Sequence, residues 1–174
     1  MRYRLDVVAS SVVDVVRFAG GWLFDRSMAG WDVTVLLADL ADHRDDRPLH
    51  ILGVRTLDLE GALAAIDSGV ETRPRPQALA AAADLLGCDP RVRRGVLQAI
   101  DHGVTEVTLW GESCPAELES SVGPVQHQLS MAARIFKAQA LAAAASPTGS
   151  IGPAETFRGG LMACRSVAAD LVPA

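Results

Sequence analysis

The sequence predicts a three-layer α/β/α domain, with a mostly parallel sheet of about four or five strands in a Rossmann-like or flavodoxin-like arrangement. Three observations carry this. Leu5 to Ser10 is a short apolar run, and Asp32 to Asp39 is a second one at the distance a helical crossover needs. Between them Val12, Val15, Val16, Ala19, Trp22 and Leu23 recur at three- and four-residue steps, a stripe that covers a sheet. Further on, Val104 to Trp110 alternates like a strand and is separated from the others by helical patterns.

Taken in order, the first strand ends at Ser10-Ser11. Ser11 and Asp14 have the spacing of a capping box and start the first helix near Val12. Gly20-Gly21 weakens that helix, and its expected role is close contact with the sheet. Residues 41–48 form a charged loop. Leu49 to Leu59 supplies a third strand centred on His50 to Val54, with Leu57 to Leu59 an extension or a separate short strand, and a helix runs from Glu60 to Ser68. Glu71 to Pro76, with two prolines around Arg75, is the best internal linker. Two helices follow, Gln77 to Leu86 and one that starts with Asp89-Pro90 and runs to His102, before the fourth strand, Val104 to Trp110. Beyond about residue 116 the chain reads as helical. A short helix covers Ala116 to Ser121, a long one Val125 to Ala145, and a terminal one Phe157 to Leu171, with a connector at Ser146 to Pro153. The 174 residues are read as one domain, since a core of this size does not need to split.

Composition narrows the function. Hydrophobic residues make up 49% and charged residues 21%, which argues against disorder and against a disulfide scaffold. A net charge of -5 disfavours a nucleic-acid groove, which depends on dense Lys and Arg. Of the 16 basic residues only Lys137 is a lysine, a bias that fits a high-GC bacterial coding sequence. Three cysteines without CxxC spacing point to a reducing compartment, the cytoplasm. No uncharged run approaches the roughly 20 residues of a membrane helix.

In open α/β sheets ligands bind beyond the carboxyl ends of the strands, at a switch in strand order. That rule selects Ser10, Ser11 and Asp14 after the first strand, Asp39 and Asp42 after the second, Arg55 near the third, and Glu112, Ser113 and Cys114 after the fourth. Serine and aspartate at a helix start also cap the backbone, so each has a purely structural reading. Cys114 becomes a nucleophile only with a histidine as base, and His43, His50, His102 and His127 are the available ones. No GxGxxG or GxxxxGK[ST] motif is present, so no cofactor is expected. No HxxxH or HxxEH spacing marks a metal site.

The stretch from Ala19 to Val35, with Gly20-Gly21 and the Val33-Thr34-Val35 strand at a set distance, is similar to the first βαβ unit of zinc-dependent N-acetylglucosamine deacetylases. That family carries a His-Pro-Asp-Asp zinc motif just upstream. Here the same place reads Ser11-Val12-Val13-Asp14 and keeps only the last acid, so the resemblance implies a metal-free relative.

With no complete catalytic constellation, the sequence favours a non-enzymatic binding or regulatory domain. It would act through a protein partner or as a homodimer built on Leu129, Ala133, Phe136 and Ala140 of the long helix, unless that helix packs within the fold. The alternative is a small-molecule or nucleotide-binding α/β enzyme, such as a hydrolase, with its site at the strand ends.

Overall fold

A computed structural model describes residues 2–38, 45–69, 74–112, 114–147, 149–160 and 169–174. Eight strands form one mixed sheet in the order β3-β2-β1-β4-β5-β7-β6-β8. They are β1 (Arg4–Ala9), β2 (Asp32–Leu37), β3 (Arg55–Asp58), β4 (Ala78–Ala82), β5 (Glu106–Trp110), β6 (Val122–Gln128), β7 (Ala154–Gly160) and β8 (Val172–Pro173). The first five are parallel, while β7 runs antiparallel to both β5 and β6, and β8 antiparallel to β6. The α/β class therefore holds, but the sheet is larger and more mixed than four or five mainly parallel strands.

The helices are α1 (Val12–Met28), α2 (Arg47–Ile51), α3 (Leu59–Asp67), α4 (Ala83–Cys88), α5 (Pro90–His102), α6 (Ala116–Glu119) and α7 (Met131–Ala143). Ser11 caps α1 by accepting from the Asp14 N–H at 3.3 Å, as the capping-box spacing predicts. The stripe on α1 is buried, with Val15, Val16, Ala19, Trp22 and Leu23 fully inaccessible. Asp89 caps α5, with Pro90 at its first position and Gly103 in the left-handed conformation at its end.

Several predicted elements are corrected. His50 belongs to the short helix α2, with Pro48 in its first turn, and the third strand is confined to Arg55–Asp58. The alanine-rich segment from Gln77 is a strand, β4, followed by the short α4. β4 lies between β1 and β5, and Ala80 and Ala81 are fully buried, so sheet pairing overrides alanine's helical preference. The region after residue 116 is not purely helical. Val125 to Gln128 belongs to β6, so the long helix is only α7, and Phe157 lies on β7.

Gly20-Gly21 gives close contact both with the neighbouring helices and with the sheet: Gly20 packs on Leu52 and Lys137, and Gly21 on Leu129 and on Glu155 of β7. A Cβ on Gly21 would lie 2.5 Å from Leu129 Cδ2, and one on Gly20 3.3 Å from Leu52. Lys137 and Glu155 complete this contact. The Lys137 ammonium donates to the Arg17 carbonyl at 2.6 Å, and the Glu155 carboxylate accepts from the Gly21 and Trp22 N–H groups at 2.9 and 2.8 Å. Lys137 and Glu155 also pair directly at 2.5 Å. Burial pushes the Glu155 carboxyl up from its ordinary value, with Lys137 and the two N–H groups opposing the shift.

Candidate active site

The chain leaves β1 toward β2 on one side, while β4 lies on its other side, so strand order switches between β1 and β4. At the carboxyl ends of β1, β4 and β5 a cavity of about 280 Å³ opens, lined by Asp14, Phe18, Asp84, Trp110, Gly111 and Glu112. Three elements deliver its carboxylates. Asp14 sits in the first turn of α1, Asp84 in the first turn of α4, and Glu112 two residues beyond β5.

The local sequence explains each placement. Ser11 fixes the start of α1 and so the position of Asp14. Gly111 turns the chain out of β5 with φ +106, a conformation L side chains rarely adopt, and Glu112 follows it to the rim. Ser10 donates its hydroxyl to Asp84 at 3.4 Å, tying the end of β1 to the start of α4. Trp110 is buried beneath the cavity, whereas Phe18 is 39% exposed and offers a ring face at its side. The result is a small concave site with an acidic mouth and an aromatic wall.

Of the residues the sequence selects, Asp14 and Glu112 line this cavity and Ser10 reaches it through Asp84. Ser11 is engaged as a helix cap. Asp39, Asp42 and Ser113 lie outside the described residues, and Arg55 starts β3 and so stands at the amino and not the carboxyl edge of the sheet. Cys114 is a free, half-buried thiol packed against the core. None of the described histidines is bonded to it. His50 pairs with Asp46, His102 with the Gln98 carbonyl, and His127 with Asp25 and the Asp170 carbonyl. The proposed dimer face is largely used inside the chain. Ala133 and Ala140 are fully buried, Leu129 fits over Gly21, and the half-exposed Phe136 stacks on Phe24 with centroids 4.6 Å apart.

Sequence reasoning missed Asp84 and Phe18. Asp84 was concealed by reading β4 as helix, while Phe18 lies off the apolar stripe of α1, which was itself a signal that the ring faces outward.

The resemblance at Ala19 to Val35 carries the question of zinc. At the matching positions the Ser11 hydroxyl is committed to the α1 backbone and Val12 is buried, which leaves Asp14 as the one carboxylate of the motif. Zinc in proteins takes imidazole and thiolate ligands along with carboxylates. Among the described residues no histidine or cysteine lines the cavity and no group of three candidate ligands occurs, so the described lining does not fit that ion.

No protein-family model matches the chain, and no curated protein matches it in sequence. Solved structures do match in fold. The zinc-inhibited form of teicoplanin deacetylase Orf2 is 16% identical with a TM-score of 0.61, over 90% of this chain and 97% of that one. The deacetylase–teicoplanin complex gives 16% and 0.60 over the same shares. The A40926 pseudoaglycone deacetylase Dbv21 is 18% identical with a TM-score of 0.58, over 91% and 97%. These neighbours are deacetylases, which runs against the expectation of a non-enzymatic binding or regulatory domain. The chain has the fold of these deacetylases.

Proposed function

We propose that the chain is a hydrolase that removes an acyl group from a small amine-bearing molecule, acting in the cavity over β1, β4 and β5. The observation that carries this reading is the convergence of Asp14, Asp84 and Glu112 on one cavity at the strand-order switch of a deacetylase-like fold. An amine product is a cation at neutral pH, and an acidic mouth attracts it. The Phe18 ring supplies an apolar face against which a sugar ring or an acyl methyl can rest.

In this reading Asp14, held on the first turn of α1, takes a proton from water as the oxygen attacks the acyl carbon. Asp14 then gives that proton to the leaving nitrogen as the carbon–nitrogen bond breaks, while the Asp84 carboxylate, positioned by Ser10, accepts a hydrogen bond from the N–H of the substrate. Water is consumed, and a carboxylate and an amine are released. No step uses a metal, because the cavity residues do not provide a zinc ligand set.

The test is acetate release from N-acetylated amino sugars and N-acetyl amines, measured with and without a strong chelator. The reading expects turnover that survives chelation. Turnover abolished by chelation and restored by zinc contradicts the metal-independent mechanism, and absence of turnover across the panel contradicts the deacylase assignment.

A further inference from the structure

The opposite, amino edge of the sheet holds a second cavity, of about 510 Å³, that the deacylase reading does not use. Its lining comes from the starts of four neighbouring strands: Arg4 of β1, Asp32 and Thr34 of β2, Arg55 of β3, and Gln77 just before β4. Arg2 and Arg75 reach it from the segments leading into β1 and β4. Among the described residues, four arginines and one aspartate therefore line a single cavity on a chain whose net charge is -5.

The arginines are not equivalent. Arg55 pairs with Asp32, and Arg4 pairs with Asp6 at 2.6 Å and donates to the Pro74 carbonyl at 2.7 Å. Those two brace the strand starts. Arg2 and Arg75 make no ion pair or hydrogen bond among the described residues. Proline on both sides of Arg75 restricts its backbone, so this guanidinium is presented from a stiff segment. An independent observation comes from the floor. Thr34 is 1% exposed, lines the cavity, and its hydroxyl has no hydrogen-bond partner. Buried hydroxyls are ordinarily satisfied, and this one is left without a partner among the described residues at the cavity floor.

We propose that this cavity binds a phosphorylated small molecule. The phosphate would be held by Arg2 and Arg75, whose planar forks match its oxygens. A polar group of the same molecule would meet the Thr34 hydroxyl, and the exposed Leu57 and Pro74 would flank its carbon frame. The cavity volume lies in the ordinary range for small-molecule sites. This site is independent of the acidic cavity at the carboxyl edge.

The test is isothermal titration calorimetry of the full chain with glucose 6-phosphate, inorganic phosphate and glucose at matched ionic strength. Glucose 6-phosphate is expected to bind saturably with a Kd of about 1 mM or tighter, and glucose is not. The Arg2→Ala/Arg75→Ala double variant should keep its melting temperature and weaken binding by about tenfold or more, as loss of charge-assisted hydrogen bonds requires. Thr34→Val, which preserves shape, should weaken glucose 6-phosphate more than inorganic phosphate. Asp14→Asn should leave binding unchanged. The proposal is overturned if no saturable binding occurs in the millimolar range, if glucose binds as well as its phosphate, or if the double variant retains wild-type affinity.

Discussion

Gly21 and Glu155 show how single residues set the geometry of α1. Adding a methyl group at Gly21 drives it into Leu129, whose side-chain atoms lie 2.5 to 3.1 Å from the new Cβ. Gly21→Ala is therefore expected to destabilise the fold by about 1–3 kcal/mol, the usual cost of overpacking. Denaturant melts of Gly21→Ala, Leu129→Ala and the double variant check this: the double variant should lose less than the sum of the singles. Glu155 gives a pH signature. Its native carboxyl titrates above the ordinary value of 4.5, because burial disfavours its charge. The native state thus holds the proton more tightly than the unfolded chain. The resulting stability is complete below the unfolded value and is lost as pH rises through the native one. Across that window wild-type stability should fall relative to Glu155→Gln, as read from urea melts at a series of pH values.

At the scale of elements, the first βαβ unit was legible because its signals agree. A valine-rich run, a capping box and a stripe at helical spacing all point to the same units. The failures have equally specific causes. β4 is five residues of alanine and leucine, a composition that favours helix in isolation, and it becomes a strand only through pairing with both β1 and β5. β6 carries Gly123 and Pro124, and β7 ends in Gly159-Gly160, residues that read as breakers. They are tolerated there in antiparallel strands beyond the parallel core. The placement of Asp14 and Glu112 beside the cavity at the strand ends was therefore legible, since their strands were, and that of Asp84 was not. If β4 uses alanine because there is no room for more, Ala80→Leu should cost about 1–3 kcal/mol through overpacking, although leucine is a good core residue elsewhere. A thermal melt of that variant decides it.

On the scale of the whole molecule, Arg26 ties distant parts of the chain together. It is 1% exposed on α1, lies over the rings of Trp22 and Trp31 at 4.6 and 4.4 Å, and pairs with Glu106 of β5 at 2.6 Å and Asp170 at 2.8 Å. Asp170 also accepts from the Trp22 indole N–H at 2.9 Å, and its carbonyl meets His127 of β6 at 3.0 Å. Nothing in the sequence signals this network, because its charged partners lie 80 and 144 residues from Arg26 and charged residues are ordinarily read as surface. Arg26→Met should cost about 3–5 kcal/mol, since it removes a buried cation from its ion pairs with Glu106 and Asp170. Urea melts at low and high salt check this, and the loss should be nearly independent of salt because the site is shielded from solvent. The two ends of the sheet then divide by charge, with carboxylates around the cavity at the carboxyl edge and arginines around the one at the amino edge.

The most direct measurement on the central claim is kcat/KM for acetate release by wild type and Asp14→Asn, with melting temperatures taken on the same samples. A hydrolytic site at the carboxyl edge predicts a fall of about 10²- to 10⁴-fold, the range for loss of a general base, at an unchanged melting temperature. An unchanged kcat/KM in a folded Asp14→Asn protein would contradict it and place the chemistry elsewhere on the molecule.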